Sequence, residues 1–337
     1  MATLADGTLP SSSDYLSDEA RKLLIEKFTG QVDHAFISAS IMSGFLPVMP
    51  VIGTDTISVR RFGNTKPRRV TPGVRPGGDS IETDKVTLTV TTHIVFRNFF
   101  SKLGEVQQDI DMTGETAKNH GLNMAKLFDI AVLIMAYRGS AATVDTNANA
   151  NVTDHTLNGA FFDGVSVALG AVGDENDPDK LVDALDDLIT KIKERDIPLE
   201  GFAIFVRPST YKVIADHPKL INQDYSQGNG NYAWRMVKVL AGVPIVETPR
   251  ILSTATEEYK TLFNNSAYSW TADDANVEAI IFHRDGLLIG ESLVEESNIF
   301  YSEMEKTWVV DTDRAFDIAI RNPGLCYSLM KALPSLG

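Results

Sequence analysis

Residues 60–75 read RRFGNTKPRRVTPGVR, and residues 85–96 read KVTLTVTTHIVF. The first segment carries Arg60, Arg61, Lys66, Arg68, Arg69 and Arg75 and no acid. Its Gly63, Pro67, Pro72 and Gly73, with Pro76, Gly77 and Gly78 directly after it, exclude regular helix. Proline removes a donor and fixes φ, and glycine loosens the backbone. In the second segment Val86, Leu88, Val90, Ile94 and Phe96 share one face, and Thr and His fill most of the other. That is the period of a half-buried strand. Thr56–Phe62 is a shorter alternating run on the other side of the basic segment. The pattern predicts a long hairpin with a cationic tip. At about 3.3 Å per residue, the run 85–96 reaches roughly 40 Å. A compact chain of this size has a radius of gyration of about 20 Å, so the arm is expected to leave the body.

The surrounding composition gives that tip its context. The chain has 337 residues, 31 Lys+Arg, 45 Asp+Glu and a formal net charge of −14. An acidic balance argues against general nucleic-acid binding, which needs cations to displace counterions from phosphates. It suits a protein that stays near DNA without sticking to it. Two readings of the tip remain open. It is a solvated loop or phosphate site, or it docks on the acidic surface of another copy, a pairing that sets orientation and encounter more than affinity. One cysteine excludes a disulfide framework and a Cys-based zinc site. The longest wholly apolar run, Ile130–Ala136, is too short to span a bilayer. The start MATLADGTLPSSSDYLSDEA lacks the basic and apolar regions of a secretory signal, so the two N-x-[ST] matches at Asn151 and Asn264 carry no weight.

Along the chain, Ser17 looks like an N-cap, Leu23, Leu24 and Phe28 form an apolar stripe, and Gly30 is expected to stop that helix. The strongest helix signal spans 112–138, where Ala117, Gly121, Met124, Ala125, Phe128, Ala131, Val132 and Met135 step by three and four. Residues 139–160 read as a loop or weak hairpin. A second helix is expected at 178–195, with Asp177 as cap, Pro178 first, acids early and bases late. GFAIFVR at 201–207 reads as a buried strand, and Pro208–Tyr211 opens a short helix. A further helix is expected at 233–241, a strand at 243–247, and a long exposed polar loop at 252–276. Strands are expected at 278–283, 298–310, 315–321 and 325–330.

The search for chemistry returns little. There is no P-loop and no G-x-G-x-x-G after a strand. Gly164-Val-Ser166-Val-Ala168 lacks the last glycine of a nucleophile elbow and reads as loop. No two histidines lie within four residues, so none has local zinc-ligand spacing. His93 is placed on a strand face and His217 in a turn. The acids at 174–177 and 273–274 lack the spacing of a calcium loop and read as solvated charge. Cys326, in GLCYSLM, reads as a buried thiol. No catalytic residue, cofactor site or metal site is assigned.

The order of these elements resembles the major capsid proteins of tailed bacteriophages, the HK97-type fold, most of all the short-tailed (podovirus-like) group. FTGQVDHAFISASIM resembles the family's N-terminal helical arm, and TPG at 71–73 its elongated hairpin, the E-loop. NMAKLFDIAVLIMAYRG resembles the spine helix, FAIFVRPSTYKVIADHPKLINQDY and LAGVPIVETPRI the axial domain, and IAIRNPGLCYSLM the closing strand. The resemblance implies an α+β fold divided into an N-terminal arm and helix (1–50), an extended β-hairpin E-loop (51–98) and a peripheral domain (99–174) with spine helix 112–138. An axial domain (175–290) and return strands to the peripheral domain (291–337) complete it. It implies a structural protein, not an enzyme, that self-assembles into hexamers and pentamers around double-stranded DNA. Its implied partners are scaffolding protein, portal and decoration protein. DNA is met only by weak proximity, with no membrane. The implied place is the virion shell, assembled in the host bacterial cytoplasm. No lysine, asparagine and glutamate set for covalent crosslinking can be placed. Two alternatives remain: an encapsulin-type nanocompartment shell, and a soluble enzyme using scattered carboxylates.

Overall fold

The structure, a computed structural model, describes residues 18–62, 69–73, 75, 77, 83–101, 112–143, 162–217, 239–302, 304 and 307–332. The chain divides into two units. The first takes Met1–Ser40, His93–Lys126 and Leu293–Ala315, and the second Ile41–Thr92, Leu127–Ser292 and Phe316–Gly337.

The first unit is built on helix α1 (Asp18–Ala39), the leading part of α2 (Met112–Ala141), strand β4 (His93–Ser101) and parts of β10 (Leu287–Ser302) and β11 (Thr307–Ile320). β4 pairs antiparallel with β11, from His93 opposite Ala315 to Ser101 opposite Thr307. Phe28, Val32, Ala117, Ile299 and Val310 form the core, with Ile25, Phe100 and Trp308 packed on it. Gly30 does not end α1. The helix continues to Ala39 because Val32, Ala35 and Phe36 keep its apolar face buried. That burial outweighs the cost of about 1 kcal/mol for a helical glycine. Ser17, the expected cap, lies outside the described residues. Gly121 is needed where the two helices cross: a Cβ there would lie 2.5 Å from the Val32 carbonyl oxygen and 2.7 Å from the Ala35 Cβ.

The second unit contains a six-stranded mixed sheet in the order β5-β12-β9-β6-β8-β7. Its strands are β5 (Val165–Ala168), β6 (Phe202–Val206), β7 (Val239–Leu240), β8 (Val243–Glu247), β9 (Val277–His283) and β12 (Cys326–Met330). Every residue of β6 is buried, as a central strand covered on both faces requires. Helix α3 (Pro178–Glu194) supplies Leu181, Leu185, Leu188, Ile189 and Ile192 to the core beneath it, together with Ile214 and Ala215 of α4 (Pro208–Ala215). The Asp177 carboxylate accepts from the Asp179 N–H at 3.1 Å, the expected cap, with Pro178 in the first turn.

Several expectations are corrected here. GVSVA is not loop: β5 adds to the sheet edge, parallel to β12. The helix expected at 233–241 lies mostly outside the described residues, but Val239–Leu240 is strand. Ala241 and Gly242, with φ of 49° and 98°, form the two-residue turn into β8, where both central residues need positive φ. The run 298–310 is the end of β10 and the start of β11, with a turn between. Residues 252–276 are not an exposed loop. They hold a short helix, α5 (Glu258–Leu262), and bury Phe263, Tyr268 and Trp270. Phe263 and Tyr268 stack at 4.1 Å. Three buried aromatics hold that segment down without regular hydropathy periods.

Two glycines of the first unit, Gly121 and Gly30, predict opposite signs. Gly121→Ala lowers the melting temperature, costing about 1–3 kcal/mol through overpacking. Gly30→Ala, whose Cβ meets nothing within 4 Å, raises the melting temperature, adding about 0.5–1 kcal/mol of stability through helix propensity. Thermal unfolding of the two variants beside the wild type checks both.

Candidate functional site

The basic segment sits on a separate two-stranded ribbon, β2 (Thr56–Phe62) paired antiparallel with β3 (Thr83–Thr89). Ile57 faces Leu88 and Val59 faces Val86 across it, and these apolar pairs make one face. Thr56, Ser58, Arg60, Lys85, Thr87 and Thr89 make the other face, which is exposed. Arg60 lies directly opposite Lys85, and Arg61 opposite Asp84. Arg69 and Arg75 follow in the exposed stretch beyond β2. Lys66 and Arg68 lie outside the described residues. Arg60, Arg69 and Arg75 have no ion-pair partner among the described residues. A like-charged cross-strand pair is destabilising within a ribbon.

The root of the ribbon is closely built. The expected single strand 85–96 is in fact two strands, because the Asp317 carboxylate seizes the backbone between them. It accepts from the N–H groups of Thr91 at 2.8 Å and Thr92 at 3.0 Å, and from the Thr92 hydroxyl at 3.0 Å. Asp317 is buried. Below the ribbon, a Cβ on Gly290 would lie 3.0–3.1 Å from Leu88, Val51 and Val90, so the apolar face beds directly on the backbone of β10. Val51 is tied in by its N–H to the Glu291 carbonyl at 2.8 Å, next to the parallel pairing of β1 (Val48–Pro50) with β10.

Other polar clusters of the second unit are occupied in holding the fold. Asp129, fully buried on α2, accepts from the Ile41 N–H at 2.8 Å and the Met42 N–H at 3.3 Å, and pairs with Arg250. Asp274 receives the Arg138 guanidinium at 2.6 Å and the Thr271 N–H at 2.8 Å. Burial alone would push its carboxyl up, but the Thr271 and Arg138 bonds outweigh this and hold it below the usual carboxylate range. Glu278 is held by Thr210, by Lys331 at 3.2 Å and by Arg207 at 3.5 Å. Arg207 also donates to the carbonyls of Leu252 and Ala275, and burial lowers its proton affinity. Asp174 is likewise not solvated charge. It caps its own turn through the Ala171 N–H and takes Lys180 at 2.5 Å. His217 is buried against Asp179. Cys326 is buried as expected, and burial pushes its thiol up to about 12.

No set of three His, Cys, Asp or Glu side chains converges as a metal site among the described residues. A groove of about 330 Å³ runs between β5 and α3, lined by Val167, Leu169, Asp174, Lys180, Asp187 and Lys191. Its Lys180 is already taken by Asp174. No helix is long and apolar enough to cross a membrane among the described residues.

The buried carboxylates were missed at the level of sequence, although each left a mark. Asp129 interrupts the apolar run FDIAVLIMA, and Asp317 interrupts AFDIAI. An acid inside a buried period signals a partner elsewhere, but not which one.

This arrangement is an α+β fold of the HK97 type, the fold of tailed-phage capsid proteins. The capsid chain of bacteriophage PhiM1 aligns over 88% of both chains at 24% identity, with a TM-score of 0.74. The capsid chain of cyanophage P-SCSP1u aligns over 88% of this chain and 89% of that one, at 16% identity and a TM-score of 0.75. A virus-like particle from Pyrococcus furiosus aligns over 90% and 98% at 14% identity and a TM-score of 0.53. No protein-family model matches the sequence. No curated protein matches it.

The sign of Asp274's shift fixes a pH dependence. A carboxylate depressed in the folded state adds stability above its unfolded pKa, about 3.9, and that stability is lost as pH falls through the lower folded value. Asp274→Asn is therefore expected to lose about 2 kcal/mol at pH 7 and to show a shallower loss than wild type below pH 4. Urea midpoints from pH 7 down to pH 3 measure both.

Proposed function

We propose that the chain is a major capsid protein that self-assembles into hexamers and pentamers, forming the icosahedral shell around the double-stranded DNA of a tailed phage. The observation that carries this reading is the fold match over 88% of the chain to two phage capsid proteins. The encapsulin-type alternative is less supported, since the virus-like particle aligns with a TM-score of 0.53 against 0.74 and 0.75. The enzyme alternative is less supported among the described residues, where the clustered carboxylates are bound to backbone amides, to a Thr hydroxyl and to Arg or Lys side chains.

In this reading the arm and helix 1–50, the E-loop 51–98, the peripheral domain 99–174, the axial domain 175–290 and the return strands 291–337 are the working parts. The cationic ribbon is the inter-subunit contact. Arg60, Arg61, Lys66, Arg68, Arg69 and Arg75 lie over the acidic flank of a neighbouring copy. Arg60, Arg69 and Arg75, without an ion-pair partner among the described residues, support it. Large shared interfaces then supply stability by mass action. Scaffolding protein, portal and a decoration protein are the further partners, and the shell assembles in the bacterial cytoplasm. Net negative charge lets packaged DNA slide past. The short-tailed grouping is supported by the sequence resemblance.

Electron micrographs and size-exclusion chromatography of the purified chain test the reading. Megadalton closed particles are expected, and a discrete monomer or dimer at high concentration overturns it. A charge-reversal variant, Arg60, Arg61, Arg68 and Arg69 all to Glu, tests the contact separately. It is expected to fail at assembly, and wild-type assembly is expected to weaken with salt. Normal, salt-insensitive particles from the variant would remove the ribbon from the interface.

A further inference from the structure

His120 sits on α2 inside the core of the first unit, 2% exposed. Its Nδ1 lies 2.9 Å from the Thr312 hydroxyl of β11, which lies 3.3 Å from the Ser297 hydroxyl of β10. Phe28 of α1 meets the ring edge-on at 6.3 Å, and Phe96 of β4 lies against it at 5.9 Å. Its Nε2 is buried and has no hydrogen-bond partner among the described residues. With Nδ1 bonded to Thr312, a neutral ring needs nothing at Nε2 but a lone pair among apolar groups. A protonated ring puts a second N–H, and a full charge, where no acceptor waits.

We propose that His120 is an acid-sensitive latch for α1: the neutral ring completes the seat of Phe28, and protonation frees α1 from that seat while the second unit stays folded. The ring meets α1, β4 and β11, so its charge state bears on α1 directly. Phe28 is 1% exposed and is the largest α1 side chain in the cluster, beside Val32.

The charged groups around the ring are few. From β11, Asp311 favours the proton, but it is held by Arg97 of β4 at 2.7 Å. Arg314, on the same face of β11 as Thr312, lies over the Phe36 ring of α1 at 4.2 Å. Burial outweighs Asp311, so the ring titrates below the usual histidine range. A histidine depressed in the folded state adds nothing against acid. The open form, titrating near about 6.5, binds the proton first, so packing of α1 is complete above that pH and weakens as pH falls below it. The other histidines of this unit are placed differently. His34 is exposed on α1, and His93 is exposed and lies 2.9 Å from Asp313, so charging either leaves no buried donor unpaired.

Hydrogen–deuterium exchange on the full chain tests the latch, with rates corrected for intrinsic pH dependence. Between pH 7.5 and 5.5 the segment 18–39 is expected to lose up to about tenfold in protection, the most one histidine with an open-form pKa of about 6.5 can supply, while segment 178–194 of α3 keeps its own. His120→Gln, which carries an amide but no titrating proton, is expected to hold α1 equally at both pH values. Asp311→Asn, which removes a negative charge that favours the proton on the packed ring, is expected to leave the onset in place and to deepen the loss below it. Equal protection of 18–39 in the wild type at both values overturns the proposal. So does a pH-dependent loss that survives in His120→Gln, or a loss that Asp311→Asn makes smaller. The wild-type comparison is decisive even if a variant fails to fold.

Discussion

The Asp317 carboxylate decides where one extended run becomes two. Left to its alternation, the segment 85–96 would continue as a single strand. Three hydrogen bonds from Thr91 and Thr92 to one buried carboxylate make the chain stop, turn and begin again at His93. On one side of that point the chain belongs to a two-stranded ribbon, on the other to the sheet edge beside β11. A lone two-stranded ribbon is marginal in water. This one is tolerable because its root is fixed by Asp317 and its apolar face is bedded against Gly290. Everything proposed for the cationic residues further out depends on that fixed root.

The same device recurs. Asp129, Asp274 and Glu278 are buried in an acidic chain, and each is surrounded by donors, whether backbone N–H groups, a Thr hydroxyl or an Arg or Lys side chain. Burying an ion is costly unless its lone pairs are filled. The chain meets that cost by spending carboxylates on irregular backbone, at Ile41–Met42, at Thr91–Thr92 and at Thr271, where no ladder supplies the partner. The result is a set of joints with defined geometry between regular elements.

Regular periodicity made much of this legible beforehand. The 3.6-residue stripes of α2 and α3, the Asp177–Pro178 start and the all-apolar strand at 202–206 all follow from local rules and survive folding. The failures have a common cause. Gly30 looked like a stop, and packing against α2 overrode its propensity. Residues 252–276 looked like exposed loop, because Phe263, Tyr268 and Trp270 are spaced irregularly and bury through stacking instead of a period. GVSVA looked like loop because a four-residue edge strand has too few alternations to register. The break at Thr91 was invisible because its cause lies more than 200 residues away. Of the six basic residues singled out, Arg60, Arg61, Arg69 and Arg75 fall on or beside the ribbon. Their charge was plain in the sequence, whereas the pairing of the two strands that carry it required coordinates.

Cys326 has a practical corollary. Its sulfur is wedged where a Cβ on Gly139 would come within 2.9 Å, and its proton is held far above neutral pH. Thiolate is the reactive form, so the native chain is nearly inert to maleimides and to oxidative dimerisation. A cysteine introduced at any exposed site, the ribbon included, would be the sole addressable thiol on each copy, and a fluorophore or spin label attached there would report from one known position.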